Sequence, residues 1–168
     1  MTVSVEFVVT GWERIVAKLH PGLYAEPVRE ALERSAITIE NRAKTMTPVD
    51  TGRLRASITH TLDPSAAPLW AKVGTNVSGG MSAAGVARKG YGLYVHEGRK
   101  PGKMPPVSAL VDWARRHGNI PPFLLARAIG RRGIKAKPFL RTALQQSIAE
   151  INANFSRAQR LIEQRWRS

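Results

Sequence analysis

The sequence predicts a single α+β domain in which helices pack on a small, mostly antiparallel sheet of about four strands. Three features lead to this prediction: an alternating apolar stretch near the start and two long helical stripes, one in each half of the chain. Alternation at every second residue is typical of a half-buried strand, and recurrence every three to four residues is typical of an amphipathic helix. A chain of 168 residues can bury one core of ordinary size.

The first half of the chain holds the clearest helical pattern. Residues 3–9 alternate between apolar and polar side chains and predict the first strand, and a short helix is expected over 12–19, ended at residues 20–22. From 24 to 46, apolar residues recur at helical spacing, with acids early and bases late, as the helix dipole favours. This stretch predicts a long helix.

A rigid corner is predicted to join this helix to the sheet. Pro48 removes a backbone donor and forces the residue before it out of the helical region, so the helix must end there. Gly52 permits a tight turn, and the two polar residues before it, Asp50 and Thr51, are expected to cap that turn. The corner would project two cationic side chains, Arg53 and Arg55, and an internal salt bridge with the acidic helix is an equally good account of them.

The remaining elements follow from alternation, proline and glycine. Strands are predicted over 57–62, 69–76 and 91–97, and a glycine-punctuated loop separates the last two. A basic helical insert is expected over about 99–137, with one helix ended by Gly118 and a second one ended by Gly130.

A long C-terminal helix is predicted over about 138–166. It would span roughly 40 Å, more than a small domain needs to cover itself. Its outer half, with Phe155, Ile162 and Trp166, is therefore expected either to pack on a neighbouring subunit or to fold back on its own sheet.

The positive charge is concentrated in one region of the chain. The net charge is +14, and residues 99–141 hold eleven Lys/Arg against the single acid Asp112, whereas the first 98 residues hold eleven bases and nine acids. A localised positive field points to a polyanion partner, and the alternative is a solvated face that keeps the protein soluble. The candidate polyanion-facing residues are Arg99, Lys100, Lys103, Arg115, Arg116, Arg131, Arg132, Lys135 and Lys137.

Patterns that would indicate an enzyme are weak. Residues 80–85 have the outer glycine spacing of a phosphate-binding loop but lack the lysine that must follow it. The chain has no cysteine, and its four histidines lack metal-ligand spacing, so we expect no catalysis, metal or cofactor. The His96-Glu97 pair is more readily structural than catalytic. No apolar run is long enough to span a membrane, and the start lacks the features of a signal peptide.

The two predicted helices of the insert raise the alternative of a helix-turn-helix. The second of these helices is mostly apolar and offers only Arg127 to read a base edge. Non-specific contact with phosphates fits the scattered cations better than sequence-specific recognition does.

Five short segments together resemble one known family. They are VTGW at 9–12, TPVDTGRLRASI at 47–58, VGTN at 73–76, YGLYVHEG at 91–98 and KPFLRTAL at 137–144. In this order and spacing they resemble the HK97 gp10-like family of tailed-phage neck proteins, also described as tail-completion or head–tail joining proteins. The likeness covers nearly the whole chain.

The resemblance implies a structural virion protein and no enzymatic activity. It implies a homo-oligomeric ring, a hexamer matching the sixfold tail, assembled in the host cytoplasm and located in the phage neck. The implied partners are a tail-tube or tail-terminator protein, a head-completion or stopper protein, and the DNA in the channel. We expect the subunit interface to include Arg53, Arg55, Tyr94, Phe155, Ile162 and Trp166. The alternative function is a standalone, non-specific nucleic-acid-binding protein that uses the basic segment.

Overall fold

The computed structural model describes residues 4–7, 21–63, 69–76 and 91–167. This part of the chain is mostly helical and contains a small antiparallel sheet, in agreement with the predicted α+β class. The chain divides into two compact units, which we call unit 1 (Met1–Gly92 with Phe139–Ser168) and unit 2 (Leu93–Pro138). Unit 2 contains the whole of the segment predicted as a basic insert. A single domain stays a prediction.

Unit 1 is built on a sheet of three described strands, β1 (Ser4–Phe7), β2 (Ile58–Asp63) and β3 (Trp70–Thr75). The spatial order is β1-β3-β2, and both pairings are antiparallel. The register places Ile58 opposite Thr75, and both side chains are buried. On β3, buried Val73 alternates with exposed Lys72, as expected of a sheet with one covered face.

The central element of unit 1 is the helix α1 (Pro21–Met46), which contacts β2 and β3. It begins three residues earlier than predicted, because Pro21 and Gly22 form its first turn. Proline is tolerated there because the first N–H groups of a helix have no intrahelical acceptor. The buried face repeats at helical spacing and comprises Ala31, Leu32, Ser35, Ala36, Ile39 and Ala43.

The predicted C-terminal helix is interrupted at Ser147. A helix over Phe139–Gln146, here α6, is followed by a second one over Ile148–Arg167, here α7. We label the short helices between α1 and α6 in chain order: α2 (Arg53–Ala56), α3 (Tyr91–Glu97), α4 (Val111–Arg116) and α5 (Pro122–Arg132). Both α6 and α7 pack on α1. The outer half of the predicted helix therefore folds back on α1 of its own chain.

The fourth predicted strand, 91–97, is wrong, because these residues form α3. Within unit 1, a Cβ atom added to Gly92 would lie 2.9 Å from Leu54 Cδ1 and 3.2 Å from Thr75 Cγ2. A short alternation of apolar and polar residues is compatible with the period of a strand and with that of a helix. The close approach at Gly92 is a tertiary feature that the alternation does not reveal.

Unit 2 consists of short helices between two chain segments that are bonded to each other. A 3₁₀ turn (Val107–Leu110) leads into α4, and α5 follows. Arg99 and Ile134 exchange backbone hydrogen bonds of 2.9 and 2.8 Å, and the Lys137 N–H donates to the Val95 carbonyl at 2.9 Å. These bonds join the beginning of unit 2 to its end.

The predicted stop at Gly130 is wrong, because α5 continues to Arg132 and ends before Gly133, which has φ of 72°. Gly130 instead accepts a hydrogen bond from the Gly102 N–H at 2.8 Å, and a Cβ atom there would lie 3.3 Å from the Gly102 carbonyl. The absence of a side chain at Gly130 thus lets the backbone at Gly102 approach closely. The predicted short helix over 12–19 and the glycine loop over 77–90 lie outside the described residues.

Candidate functional site

The predicted corner between α1 and β2 is fixed by hydrogen bonds of its own side chains. The Thr47 hydroxyl donates to the Ala43 carbonyl at 2.6 Å, and the Ser57 hydroxyl donates to the Leu54 carbonyl at 2.7 Å and is also hydrogen-bonded to Thr75. Leu54 is fully buried. Packing and hydrogen bonds therefore hold the single turn α2 in one orientation against β3.

The start of α2 differs from the prediction. Gly52, with φ of 78°, occupies the cap position, whereas the prediction gave the capping role to Asp50 and Thr51. A positive φ of this size favours glycine, since other L-residues are strained there. Gly52 therefore sets the direction in which α2 leaves the corner.

Arg53 and Arg55 are exposed on α2. Among the residues that the structure describes, neither forms an ion pair, whereas two acids of α1 have partners in their own helix: Glu30 binds Arg34, and Glu40 binds Lys44. The internal salt bridge considered for the two arginines is thus not formed in this part of the chain. Both guanidinium groups are available to a partner.

A polar cluster lies where α1 meets the sheet. The mostly buried carboxylate of Glu40 is bonded to Lys44 on the same helix and to Nδ1 of His60 on β2. Burial by itself raises the pKa of the Glu40 carboxyl, but the hydrogen bonds and charges of Lys44 and His60 outweigh it, so the pKa lies below its ordinary value. This cluster links α1 to β2, which is a structural role.

The predicted polyanion-facing residues all belong to unit 2, and all but Arg99 are exposed. Arg99 is half-buried, and its guanidinium donates to the Lys103 carbonyl. Residues 93–138 hold ten Lys/Arg against two acids, Glu97 and Asp112. The electrostatic field of unit 2 is therefore positive, because its net charge does not depend on side-chain conformation.

Few acids within unit 2 can neutralise these cations. Arg115 is 3.0 Å from Asp112, but both side chains are about three-quarters exposed, and such surface pairs contribute little. Arg131 and Arg132 lie in the last turn of α5, not after its end as predicted, where the helix dipole favours cations. Unit 2 thus holds many more exposed cations than acids of its own.

The insert also exposes apolar side chains that the sequence did not single out as surface. Phe123 and Leu124 in the first turn of α5 are 53% and 51% exposed, while only Ala126 of this helix is fully buried. In α4, Val111 and Trp113 are exposed, and Trp113 stacks on His117 with ring centroids 4.0 Å apart. These two helices therefore bury only part of their apolar side chains.

The four remaining residues expected at a subunit interface differ in exposure. Tyr94 is 42% exposed and Trp166 is 63% exposed, so both offer surface to a partner. Phe155 and Ile162 are buried in unit 1, on the α7 helix that packs on α1. Their burial is satisfied within the chain, and the interface itself stays a prediction.

His96 is buried while the neighbouring Glu97 is exposed, so this pair does not face one site. No group of three His, Cys, Asp or Glu side chains within the described ranges could hold a metal ion. None of the helices in these ranges is long and apolar enough to cross a membrane.

Comparisons with known proteins return no relative: no family model matches the chain, and neither the curated proteins nor the solved structures contain a match.

Proposed function

We propose that the protein is a structural subunit of the neck of a tailed bacteriophage, a tail-completion ring protein that joins the tail to the DNA-filled head. The observation that carries this proposal is the charge of unit 2, with ten Lys/Arg and two acids in 46 residues. The resemblance of five ordered segments to the phage neck family supports the same role. The function would be assembly, without a chemical step.

The mechanism follows from the placement of charge and rigidity. The corner and the α1–α7 packing give unit 1 a rigid body, and unit 2 supplies the cations. In a ring, equal subunits would bring their basic segments together, and these would repel one another unless a polyanion neutralised them. DNA in the neck channel provides such a polyanion, because phosphate contacts need charge but no base sequence.

The joining role is tested by electron microscopy of a lysate from phage that carries a stop codon in this gene. We expect separate DNA-filled heads and tails of finished length, which join when purified protein is added. Normal virions in the mutant lysate would overturn the proposal.

The role of the charge is tested with a quadruple variant in which Arg115, Arg116, Arg131 and Arg132 are replaced by Gln. These side chains are exposed, so we expect normal folding and lower DNA retention in the particle. The matched control replaces four exposed arginines of unit 1: Arg29, Arg157, Arg160 and Arg167. Equal retention in the two variants would remove unit 2 from the DNA-facing surface.

A second candidate is a standalone protein that binds nucleic acid non-specifically, and the exposed cations of unit 2 support this function as well. It predicts that the isolated monomer binds duplex DNA with an affinity that falls steeply as salt rises. The joining role predicts weak binding by the monomer and firm attachment to tail ends. Titration of labelled DNA at several salt concentrations separates the two.

A further inference from the structure

Unit 2 exposes apolar surface that a polyanion alone does not explain. Among the described residues, eight of the twelve exposed large apolar side chains lie in unit 2. Phosphate groups offer charge and hydrogen-bond acceptors but nothing that removes Phe or Leu from water. A partner that covers the part of unit 2 where apolar and cationic side chains lie together must therefore supply apolar atoms as well as negative charge.

The exposed side of α5 combines both properties. At about 100° per residue, Phe123, Leu124, Arg127 and Arg131 fall within an arc of about 100°. All four are exposed, while buried Ala126 lies outside this arc. We call these four residues the α5 docking face. Its apolar pair occupies the first turn and its arginines the later turns, so the two properties are separated along the helix axis.

This lengthwise separation favours a protein partner over a lipid surface or DNA. A helix that lies on a membrane needs an apolar face along its whole length. Duplex DNA would use Arg127 and Arg131, but to cover Phe123 and Leu124 as well it would have to unstack a base step, which costs free energy. A protein segment can place apolar side chains beside carboxylates at the spacing that the face requires.

We propose that the α5 docking face binds an acidic, amphipathic protein segment. Apolar side chains of this segment would cover Phe123 and Leu124, and its carboxylates would pair with Arg127 and Arg131. The charge complementarity is strong, because unit 2 has only two acids of its own. The inference rests on the proposed joining role, for which it specifies the chemistry of one partner surface.

The test uses the full-length protein and three labelled probes in fluorescence anisotropy. The first is a helical peptide with Leu and Glu on one face, the second is the same peptide with Gln in place of Leu, and the third is a short DNA duplex. Wild type should bind the Leu/Glu peptide about tenfold more tightly than the Gln/Glu peptide, because buried apolar anchors dominate such interfaces.

Two double variants separate the components of the α5 docking face. Phe123→Ser/Leu124→Ser should abolish the preference for the Leu-containing peptide and leave binding of the Gln/Glu peptide and DNA unchanged. Arg127→Gln/Arg131→Gln should weaken binding of all three probes. The matched control is Ile37→Ser/Ile148→Ser, which removes two exposed apolar side chains from unit 1 and should change nothing.

Three outcomes would overturn the proposal. Equal affinity of wild type for the two peptides would mean simple polyanion binding. An equal loss of DNA affinity in Phe123→Ser/Leu124→Ser would assign the face to nucleic acid. Self-association that this variant alone abolishes, measured by sedimentation, would assign it to a second copy of the chain. Because purified protein and synthetic probes are used, failure here is distinguishable from failure of the joining role, which the stop-codon lysate tests.

Discussion

Arg42 on α1 donates to Glu150 on α7, with 2.6 Å between Nη2 and Oε1. The other guanidinium nitrogen donates to the Gln146 carbonyl and to the Ser147 hydroxyl, the latter at 3.1 Å. The hydrogen bond from Arg42 lowers the pKa of the Glu150 carboxyl, and the same bond raises the pKa of Arg42. The Arg42 side chain of α1 thus forms hydrogen bonds both at the end of α6 and at the start of α7.

Removal of this guanidinium should loosen the junction between α6 and α7. We expect Arg42→Ala to lower the melting temperature and to speed hydrogen exchange at the amides of Ser147 and Ile151, which lie at the interruption. Arg34→Ala is the control, since its partner Glu30 is one turn away on the same exposed helix face. Similar melting temperatures for the two variants would contradict the junction role.

Phe155 should contribute to folding of the monomer before any contact between subunits. It is buried in unit 1, so Phe155→Ala should cost about 3–5 kcal/mol in the free energy of unfolding. Trp166→Ala, at an exposed position of the same helix, should stay within about 0.5 kcal/mol. Denaturant unfolding at low protein concentration measures both. A small effect at Phe155 would mean that its packing forms only in an assembly.

Gly133 should be essential to the closure of unit 2. With φ of 72°, an alanine there is strained, and its Cβ would also collide with the Arg99 carbonyl, which accepts the hydrogen bond from Ile134. Gly118 also has a positive φ, of 87°, but open space around it. Gly118→Ala should therefore cost only about 1–2 kcal/mol of backbone strain, and Gly133→Ala should cost more.

Hydrogen exchange at the Arg99 and Ile134 amides separates these two glycine effects. Both amides should exchange faster in Gly133→Ala and at the wild-type rate in Gly118→Ala, because only the first substitution forces the two segments apart. Protection of both amides in Gly133→Ala would show that the collision is relieved without opening the bridge.

Acid should weaken the fold through Glu40. Its pKa is lowered in the folded state, so the unfolded chain binds more protons, and stability rises with pH in this window. The contribution is complete above the ordinary value of 4.5 and is lost as the pH falls through the folded-state pKa. Glu40→Gln should make the melting temperature less dependent on pH below about 5.

The same substitution at exposed Glu33 is the control for the acid effect, since this side chain has no ion pair among the described residues. Thermal melts over a series of acidic buffers give the two slopes. Identical slopes for Glu40→Gln and wild type would show that the Glu40 cluster does not stabilise the fold.

Local sequence patterns predicted several elements of the fold correctly. The helical stripe predicted α1, alternation predicted β2 and β3 to within one residue at each end, and Pro48 predicted the end of α1. The concentration of charge over residues 99–141 is a property of composition, so it needs no fold to be recognised. These features depend on neighbours along the chain, and the sequence by itself contains them.

Tertiary contacts decided the rest. Residues 91–97 fit either period, and Gly92 allows the close approach to Leu54 that accompanies the helix. At the interruption of the helix, the Ser147 hydroxyl accepts a hydrogen bond from Arg42, which is 105 residues away in the chain. The exposure of Phe123 and Leu124 could not be predicted from the helical pattern either. Such a pattern shows which residues share one face of a helix, but it does not show which face the rest of unit 2 covers.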